Sequence, residues 1–189
     1  MDERVRRISK QIVAAEELKR KTVVWMASFK ILPWMSGGQR IGKQIVAAEE
    51  LKRKTVVWMA SLGQASDIPS PIRTIAGTHT IQVGKGMHLD ISVSSPGGEF
   101  TQHSCDPNAR LVLDEDRKRL SLETLKVVPG AETLTFDYNT SELKMSSPFE
   151  CVCGAPGCVG TIKGFSSLNK DQQEHIRHLL LPHVLAMAS

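Results

Sequence analysis

Three of the four cysteines in this chain lie close together, at Cys151, Cys153 and Cys158. Their C-x-C-x4-C spacing lets neighbouring thiolates point at one metal ion, and a structural zinc site requires four protein ligands. Cys105 is the only cysteine left to fill the fourth position. We therefore predict a zinc site made by these four residues. The residues alone leave two alternatives open, namely four unrelated buried thiols, or three cysteines with a histidine.

Cys105 lies within the stretch Gln102–Asn108, which also contains His103 and ends in a turn-forming Asp-Pro-Asn sequence. A metal shared by Cys105 and the later cysteines would tie the middle of the chain to its end. Any other group on this stretch would then be held at a fixed place beside the metal.

Composition and charge place the chain among globular proteins. Hydrophobic residues make up 41% and charged residues 23% of 189 residues. Residues 1–61 carry 13 Lys/Arg against 6 Asp/Glu (+7), whereas residues 62–189 carry 11 against 14 (−3). The charged start lacks the apolar run of a signal peptide, and the longest apolar stretch is too short to span a bilayer. We predict an intracellular protein, nuclear or cytoplasmic, with no membrane partner.

A near-identical repeat fills the first third of the chain. Residues 7–28 and 40–61 differ only at Ser9 and Gly42. Each copy begins with helix formers (QIVAAEELKRK) and ends with strand formers (TVVWMAS). We predict a basic, helical segment over residues 1–66, and the near-identity indicates a recent duplication or an artefact. Its basic residues fit a solvated face, so we do not expect direct nucleic-acid binding.

The rest of the chain is dominated by strand patterns. Alternating or β-branched residues predict strands at Thr78–Val83, Met87–Ser92, Arg110–Leu113, Leu120–Thr124 and Leu134–Tyr138. The turn Gly84–Gly86 makes the first pair a hairpin. Apolar residues at helical spacing from Asn169 to about Met187 predict a C-terminal helix that Pro182 limits or kinks.

Three motifs together resemble a known family. QHSCDPNA, LTFDY and CVCGAPGCVG, in this order and spacing, look like the second half of a SET domain with its post-SET segment. The family patterns are N-H-S-C-x-P-N, G-E-E-L-T-F-D-Y and C-x-C-x4-C-x-G. The resemblance runs from about Thr78 to Phe165. The family's G-x-G cofactor loop has no recognised counterpart, and the duplicated segment stands in its place.

The resemblance implies a β-rich α+β fold of small sheets with a knot-like crossing, a post-SET zinc site, a helical N-terminal appendage and a C-terminal helix. It divides the chain into the appendage (1–66), a partial SET-like domain (67–148), the zinc segment (149–166) and the C-terminal helix (167–189).

It also implies a protein-lysine N-methyltransferase that uses S-adenosylmethionine and acts on a protein or peptide lysine, with a histone tail in chromatin as one such target. Tyr138 is similar to the family's active-site tyrosine. Gln102 and His103 would contact the cofactor. The four zinc ligands would be Cys105, Cys151, Cys153 and Cys158.

Methyl transfer needs a neutral amine, whereas a free lysine has a pKa near 10.4. A tyrosine hydroxyl can orient that amine for in-line attack.

Two hypotheses follow from the sequence. The chain is a methyltransferase with an unrecognised cofactor loop, or it is a truncated or rearranged non-catalytic SET-like protein that acts as a zinc-stabilised protein-binding module.

Overall fold

The computed structural model describes residues 29–36, 39–63, 71–116 and 118–188. Short strands dominate this part of the chain. They are β1 (Phe29–Ser36), β2 (Gln39–Ala47), β3 (Val56–Ser61), β4 (Ile72–Arg73), β5 (Thr80–Gly84), β6 (Met87–Asp90), β7 (Gln102–His103), β8 (Ala109–Asp114), β9 (Arg119–Thr124), β10 (Thr135–Phe136), β11 (Phe149–Glu150) and β12 (Thr161–Ile162). The α-helices are α1 (Ile91–Ser94), α2 (Lys170–Ile176) and α3 (Pro182–Ala188).

The strands form small sheets rather than one large one. β3, β9 and β8 make an antiparallel sheet in that order, and β4, β6 and β5 make another. β1 pairs with β2 and β11 with β12, both antiparallel, whereas β7 and β10 are parallel. The predicted β-rich class of small sheets with few helices is confirmed. The knot-like crossing stays a prediction.

The helical prediction is wrong for the second copy of the repeat. Residues 39–47 form strand β2, and the segment between β2 and β3 contains bends, a turn and an isolated β-bridge between Leu51 and Val128. Ile45, Val46 and Ala47 are buried, and the backbone of Ile45 and Ala47 bonds to residues 131–134. Tertiary pairing therefore overrides the helix propensity of this segment. The first copy lies outside the described residues.

Strand β3 is formed by the half of the repeat that is rich in strand formers, and it contributes Trp58 to the core. Trp58 is fully buried, and its indole Nε1–H donates to the Thr101 hydroxyl at 3.0 Å. Gly98 lies against the same indole ring, where an added Cβ would approach Trp58 at 3.1 Å. This packing joins the sheet of β3 to the segment that leads into β7.

The other predicted elements have different outcomes. The predicted hairpin forms as β5–β6, and the strands predicted at Arg110–Leu113 and Leu120–Thr124 form the antiparallel pair β8–β9. The strand expected at Leu134–Tyr138 keeps only β10 before a 3-10 turn at Tyr138–Thr140. The predicted C-terminal helix divides into α2 and α3 because Pro182, which has no N–H, begins a new helix. Among the described residues no helix is long and apolar enough to cross a bilayer.

Candidate active site and metal centre

The structure brings the four predicted metal ligands together. Cys105 follows β7, Cys151 and Cys153 follow β11, and Cys158 precedes β12. Their sulfur atoms all lie within 4.8 Å of one another, and Cys105 Sγ is 3.9 Å from Cys151 Sγ. Four sulfurs around a tetrahedral zinc with Zn–S bonds of about 2.3 Å would be about 3.8 Å apart. The cluster therefore has the size and donor set of a four-thiolate metal site, and none of its members forms a disulfide.

The backbone around the sulfurs holds them in place. Cys151 N–H donates to Gly160 O at 2.6 Å, which closes the loop between β11 and β12. Burial raises the pKa of Cys105 and of Cys151. For Cys153, burial is outweighed by hydrogen bonds from neighbouring backbone N–H groups and thiols, which lower its pKa to about 6. Four thiolates this close together repel each other, so a bound cation is what would allow all four to ionise.

His103 is a neutral bridge between the cysteine cluster and Tyr138. Its Nδ1 accepts the backbone N–H of Tyr138 at 3.1 Å, so we assign the proton to Nε2, which lies 3.3 Å from Cys105 Sγ. Burial lowers the pKa of this imidazole to about 4. Both ring nitrogens are thus used within the protein, and the ring orients Cys105 and the tyrosine turn together.

Gln102 joins the site to the second copy of the repeat. Its side-chain amide donates to Lys43 O at 2.8 Å and to Phe100 O at 3.1 Å. Gln102 and His103 line a cavity of about 410 Å³, whose walls also include Trp34, Gln44 and Cys151. We call this space the glutamine cavity. The segment that the sequence predicted to be a helical appendage therefore forms one wall of the site.

Tyr138 lies between the glutamine cavity and a second cavity. Its hydroxyl donates to Thr101 O at 2.7 Å, and its ring packs against His103 and Phe136 at centroid distances of 5.3 and 4.7 Å. The second cavity, about 240 Å³, is lined by Tyr138, Glu99 and Glu142 among others, and we call it the glutamate cavity. Burial raises the pKa of Tyr138, which keeps the hydroxyl protonated at neutral pH.

Buried polar residues fix the turn that carries Tyr138. Asp137 accepts the backbone N–H and the side-chain amide of Asn139, each at 2.9 Å. Asn139 Oδ1 in turn accepts Gly164 N–H at 3.1 Å, which ties the turn to the segment after β12. Earlier in the chain, Asn108 Oδ1 accepts Thr135 N–H at 2.9 Å and joins the central stretch to β10.

Some residues of the site were not found from the sequence. Trp34, Gln44, Glu142 and Phe149 belong to no motif, and long-range pairing brings them to the two cavities. Lys43 belongs to no motif either, and its backbone carbonyl accepts the Gln102 amide. The position of Gln44, just before the apolar run Ile45–Ala47, was the available sequence signal for that residue. Glu142 could have been noted for being four residues after Tyr138.

Comparison with known proteins identifies the family. The profile of the SET domain matches residues 10–139 of the chain. The chain belongs to the SET-domain family. The match begins at residue 10, far before Thr78, so it includes most of the first copy and all of the second copy of the repeat, which the sequence resemblance did not cover.

Relatives in this family are named as methyltransferases. The chain is 29% identical to Methyltransferase flvH of Aspergillus flavus over 119 residues, which are 62% of this chain and 60% of that protein. It is 32% identical to a histone-lysine N-methyltransferase, H3 lysine-36 specific, of Gibberella zeae over 44% of this chain and 9% of that protein. An H3 lysine-4 specific enzyme of Debaryomyces hansenii is 28% identical over 46% of this chain and 8% of its own length. The chain thus spans 60% or less of these relatives.

Solved structures support the SET fold. The crystal structure of KRYPTONITE in complex with mCHG DNA and SAH has a TM-score of 0.50 and 18% identity, over 71% of this chain and 29% of that one. The Arabidopsis thaliana SUVH6 structure in complex with SAM has a TM-score of 0.51 and 15% identity, over 72% of this chain and 33% of that one.

Proposed function

We propose that this SET-domain protein transfers a methyl group from S-adenosylmethionine to the side-chain amine of a lysine in a protein. The observation that carries the proposal is the position of Tyr138 between two cavities. Gln102 and His103, which are predicted to contact the cofactor, lie in the wall of the glutamine cavity. Two glutamates lie in the wall of the glutamate cavity. A transfer reaction needs this arrangement, because donor and acceptor must approach one point from different sides.

The glutamine cavity is the proposed cofactor site. Its volume of about 410 Å³ lies within the usual range for small-molecule sites, about 300–1,000 Å³. Gln102 and His103 would hold the cofactor there, and the bound S-adenosylmethionine would supply an electrophilic methyl group. Gly42, Lys43 and Gln44 lie on β2 beside Gln102. They support the view that the second copy takes the place of the missing G-x-G loop.

Tyr138 is the proposed catalytic residue, and its hydroxyl would orient the lysine amine. Because the O–H donates to Thr101 O, the oxygen lone pairs are directed away from that bond and can accept an N–H of the amine. The raised pKa of Tyr138 keeps its oxygen neutral, so it does not compete as a nucleophile. The amine lone pair is then left free to point at the methyl group.

The cysteine cluster is the proposed zinc site, with Cys105, Cys151, Cys153 and Cys158 as ligands. Its role would be structural, since all four positions of a tetrahedral zinc are filled by protein. Cys151 and Cys153 also line the glutamine cavity. Zinc binding would therefore shape one wall of the cofactor site.

The proposed substrate is a lysine-bearing protein, and the histone H3 tail is the first to test because relatives are named for H3 lysines. A nuclear or cytoplasmic location would fit such a substrate. The KRYPTONITE structure is a complex with DNA, so nucleic acid belongs among the compounds tested for binding.

Two measurements on the purified, metal-loaded chain test the proposed function. Calorimetric titration with S-adenosylmethionine is expected to give saturable binding in the micromolar range. Incubation with histone H3 and the labelled cofactor is expected to transfer label to lysine, read by mass spectrometry. Absence of cofactor binding by a folded, metal-loaded chain would reject the methyltransferase and favour the non-catalytic protein-binding module.

A further inference from the structure

The glutamate cavity has an acidic lining. Among the described residues that line it, the ionisable side chains are Glu99, Glu142, His79 and Tyr138, and no lysine or arginine is included. Glu99 is half-buried, and its carboxylate already accepts the backbone N–H of Gly97 at 2.5 Å. The cavity is therefore suited to a cationic guest rather than an anionic one.

Glu142 is the more deeply placed of the two glutamates. It is only 8% exposed, and its Oε1 accepts the backbone N–H of Gln82 at 2.7 Å. Its own N–H donates to Tyr138 O at 3.1 Å, so it lies one turn after the tyrosine. Within the described part of the chain, its second carboxylate oxygen makes no hydrogen bond or ion pair. That oxygen is available to a guest in the cavity.

The hydrogen bond from Gln82 N–H does not require the negative charge of Glu142. A neutral glutamine amide would accept the same hydrogen bond from Gln82 without the cost of burying a charge. Burial without a cationic neighbour raises the pKa of Glu142 to about 7. A buried acid that lacks its counter-ion and lines a cavity is typical of a functional site.

We propose that the Glu142 carboxylate binds the ammonium group of the substrate lysine and so selects cationic side chains at the entrance to Tyr138. The inference rests on the proposed function, because it assumes that lysine is the substrate that enters the glutamate cavity. Glu142 is then a specificity-determining residue. It attracts the charged form of lysine, and after the ammonium group has released its proton to water, Tyr138 orients the neutral amine that reacts.

Binding of two small probes tests the proposal without any need for turnover. The probes are lysine and norleucine, each blocked as the N-acetyl methylamide, which differ in the terminal ammonium group. Their affinities are measured by NMR titration of the wild type and of Glu142→Gln, which keeps the acceptor for Gln82. Glu174→Gln, an exposed change on α2, is the matched control.

We expect the wild type and the Glu174→Gln control to prefer the lysine probe by about tenfold or more, as for a charge-assisted hydrogen bond. Glu142→Gln should lose this preference with an unfolding temperature no lower than that of the wild type, and Glu142→Asp should retain part of it. A lysine preference that persists in Glu142→Gln overturns the proposal, as does a wild type without any preference.

A parallel titration with S-adenosylmethionine separates the two proposals. If the wild type binds the cofactor but shows no preference for the lysine probe, the role of Glu142 is wrong and the methyltransferase proposal stands. If the lysine preference depends on Glu142 but the cofactor does not bind, the cationic site is supported as a feature of the protein-binding alternative.

Discussion

Three contacts fix the position of Tyr138. Its hydroxyl donates to Thr101 O, its backbone N–H donates to His103 Nδ1, and its ring packs against Phe136. The first of these contacts disappears in Tyr138→Phe, whereas the other two remain. This substitution therefore separates the hydroxyl from the packing of the ring.

For Tyr138→Phe we expect methyl transfer to fall by about 100-fold, because misplacement of a reacting group by about 1 Å costs that much. The free energy of unfolding should fall by about 1–3 kcal/mol, since Thr101 O loses its partner. Single-turnover kinetics and urea unfolding measure the two effects. Binding of S-adenosylmethionine should be unchanged, and a variant with wild-type turnover would remove Tyr138 from the mechanism.

The raised pKa of Glu142 predicts that the stability of the folded protein depends on pH. Its pKa is 4.5 ordinarily and about 7 in the folded protein, so the folded state holds the proton more tightly than the unfolded state. Stability contributed by the protonated form is therefore present below about pH 4.5 and is lost as pH rises toward 7. Glu142→Gln does not titrate.

Relative to Glu142→Gln, the wild type should therefore lose on the order of 2 kcal/mol of unfolding free energy between pH 5 and pH 8. Urea unfolding of both proteins at these two pH values measures the difference. Other ionisable groups are the same in both proteins and cancel in the comparison. Parallel stability profiles would show that Glu142 titrates normally.

At the scale of elements, the second copy of the repeat shows what local sequence can and cannot predict. Its strand-forming half becomes β3, as the residue types indicate. Its helix-forming half becomes β2 because Ile45 and Ala47 bond to residues 131–134, far away in the sequence. Local propensity contains no information about a pairing partner that distant in sequence, so the helix formers of this segment predict a helix.

At the same scale, Gly164 allows two loops to come into close contact. Its φ is +100°, and a Cβ at this position would lie 2.7 Å from Lys144 Cα and 2.8 Å from Leu143 O. Both obstacles are backbone atoms, which cannot rotate away. The close approach lets Gly164 N–H reach Asn139, which supports the tyrosine turn.

Gly164→Ala should therefore lower the free energy of unfolding by about 2–3 kcal/mol through backbone strain. Gly157→Ala is the matched control, because it lies in the same segment with no positive φ and no atom within 4 Å of an added Cβ. Urea unfolding followed by circular dichroism compares the two variants. Equal stabilities would mean that the loops near Gly164 can separate without cost.

At the scale of the whole molecule, the motifs predicted which residues meet but not what surrounds them. The cysteine spacing anticipated a cluster that the fold brings together across 46 positions of sequence. The walls of both cavities come from residues such as Trp34 and Glu142, whose types carry no signature. Their positions depend on strand pairing between distant segments, and a single sequence records such pairing only indirectly.

A metal bound by the four cysteines would couple the two halves of the site, because its ligands would come from both. Cys105 lies two residues from His103, whose ring touches Tyr138, while Cys151 and Cys153 line the glutamine cavity. Without a cation, the close thiolates would repel each other and the segment 149–162 would lose its attachment to the central stretch. Metal loss should therefore affect cofactor binding as well as stability.

We expect the purified chain to contain close to one zinc ion, measured by inductively coupled plasma mass spectrometry. Chelation, or Cys105→Ser, should lower the unfolding temperature and increase hydrogen exchange in residues 149–162, because these residues would no longer be joined to Cys105. Added zinc should restore the chelated protein, whereas magnesium should not, since magnesium prefers oxygen ligands. A folded chain with no bound metal, and with unchanged exchange after chelation, would leave the four cysteines as ordinary thiols and remove the link between the metal and the cofactor cavity.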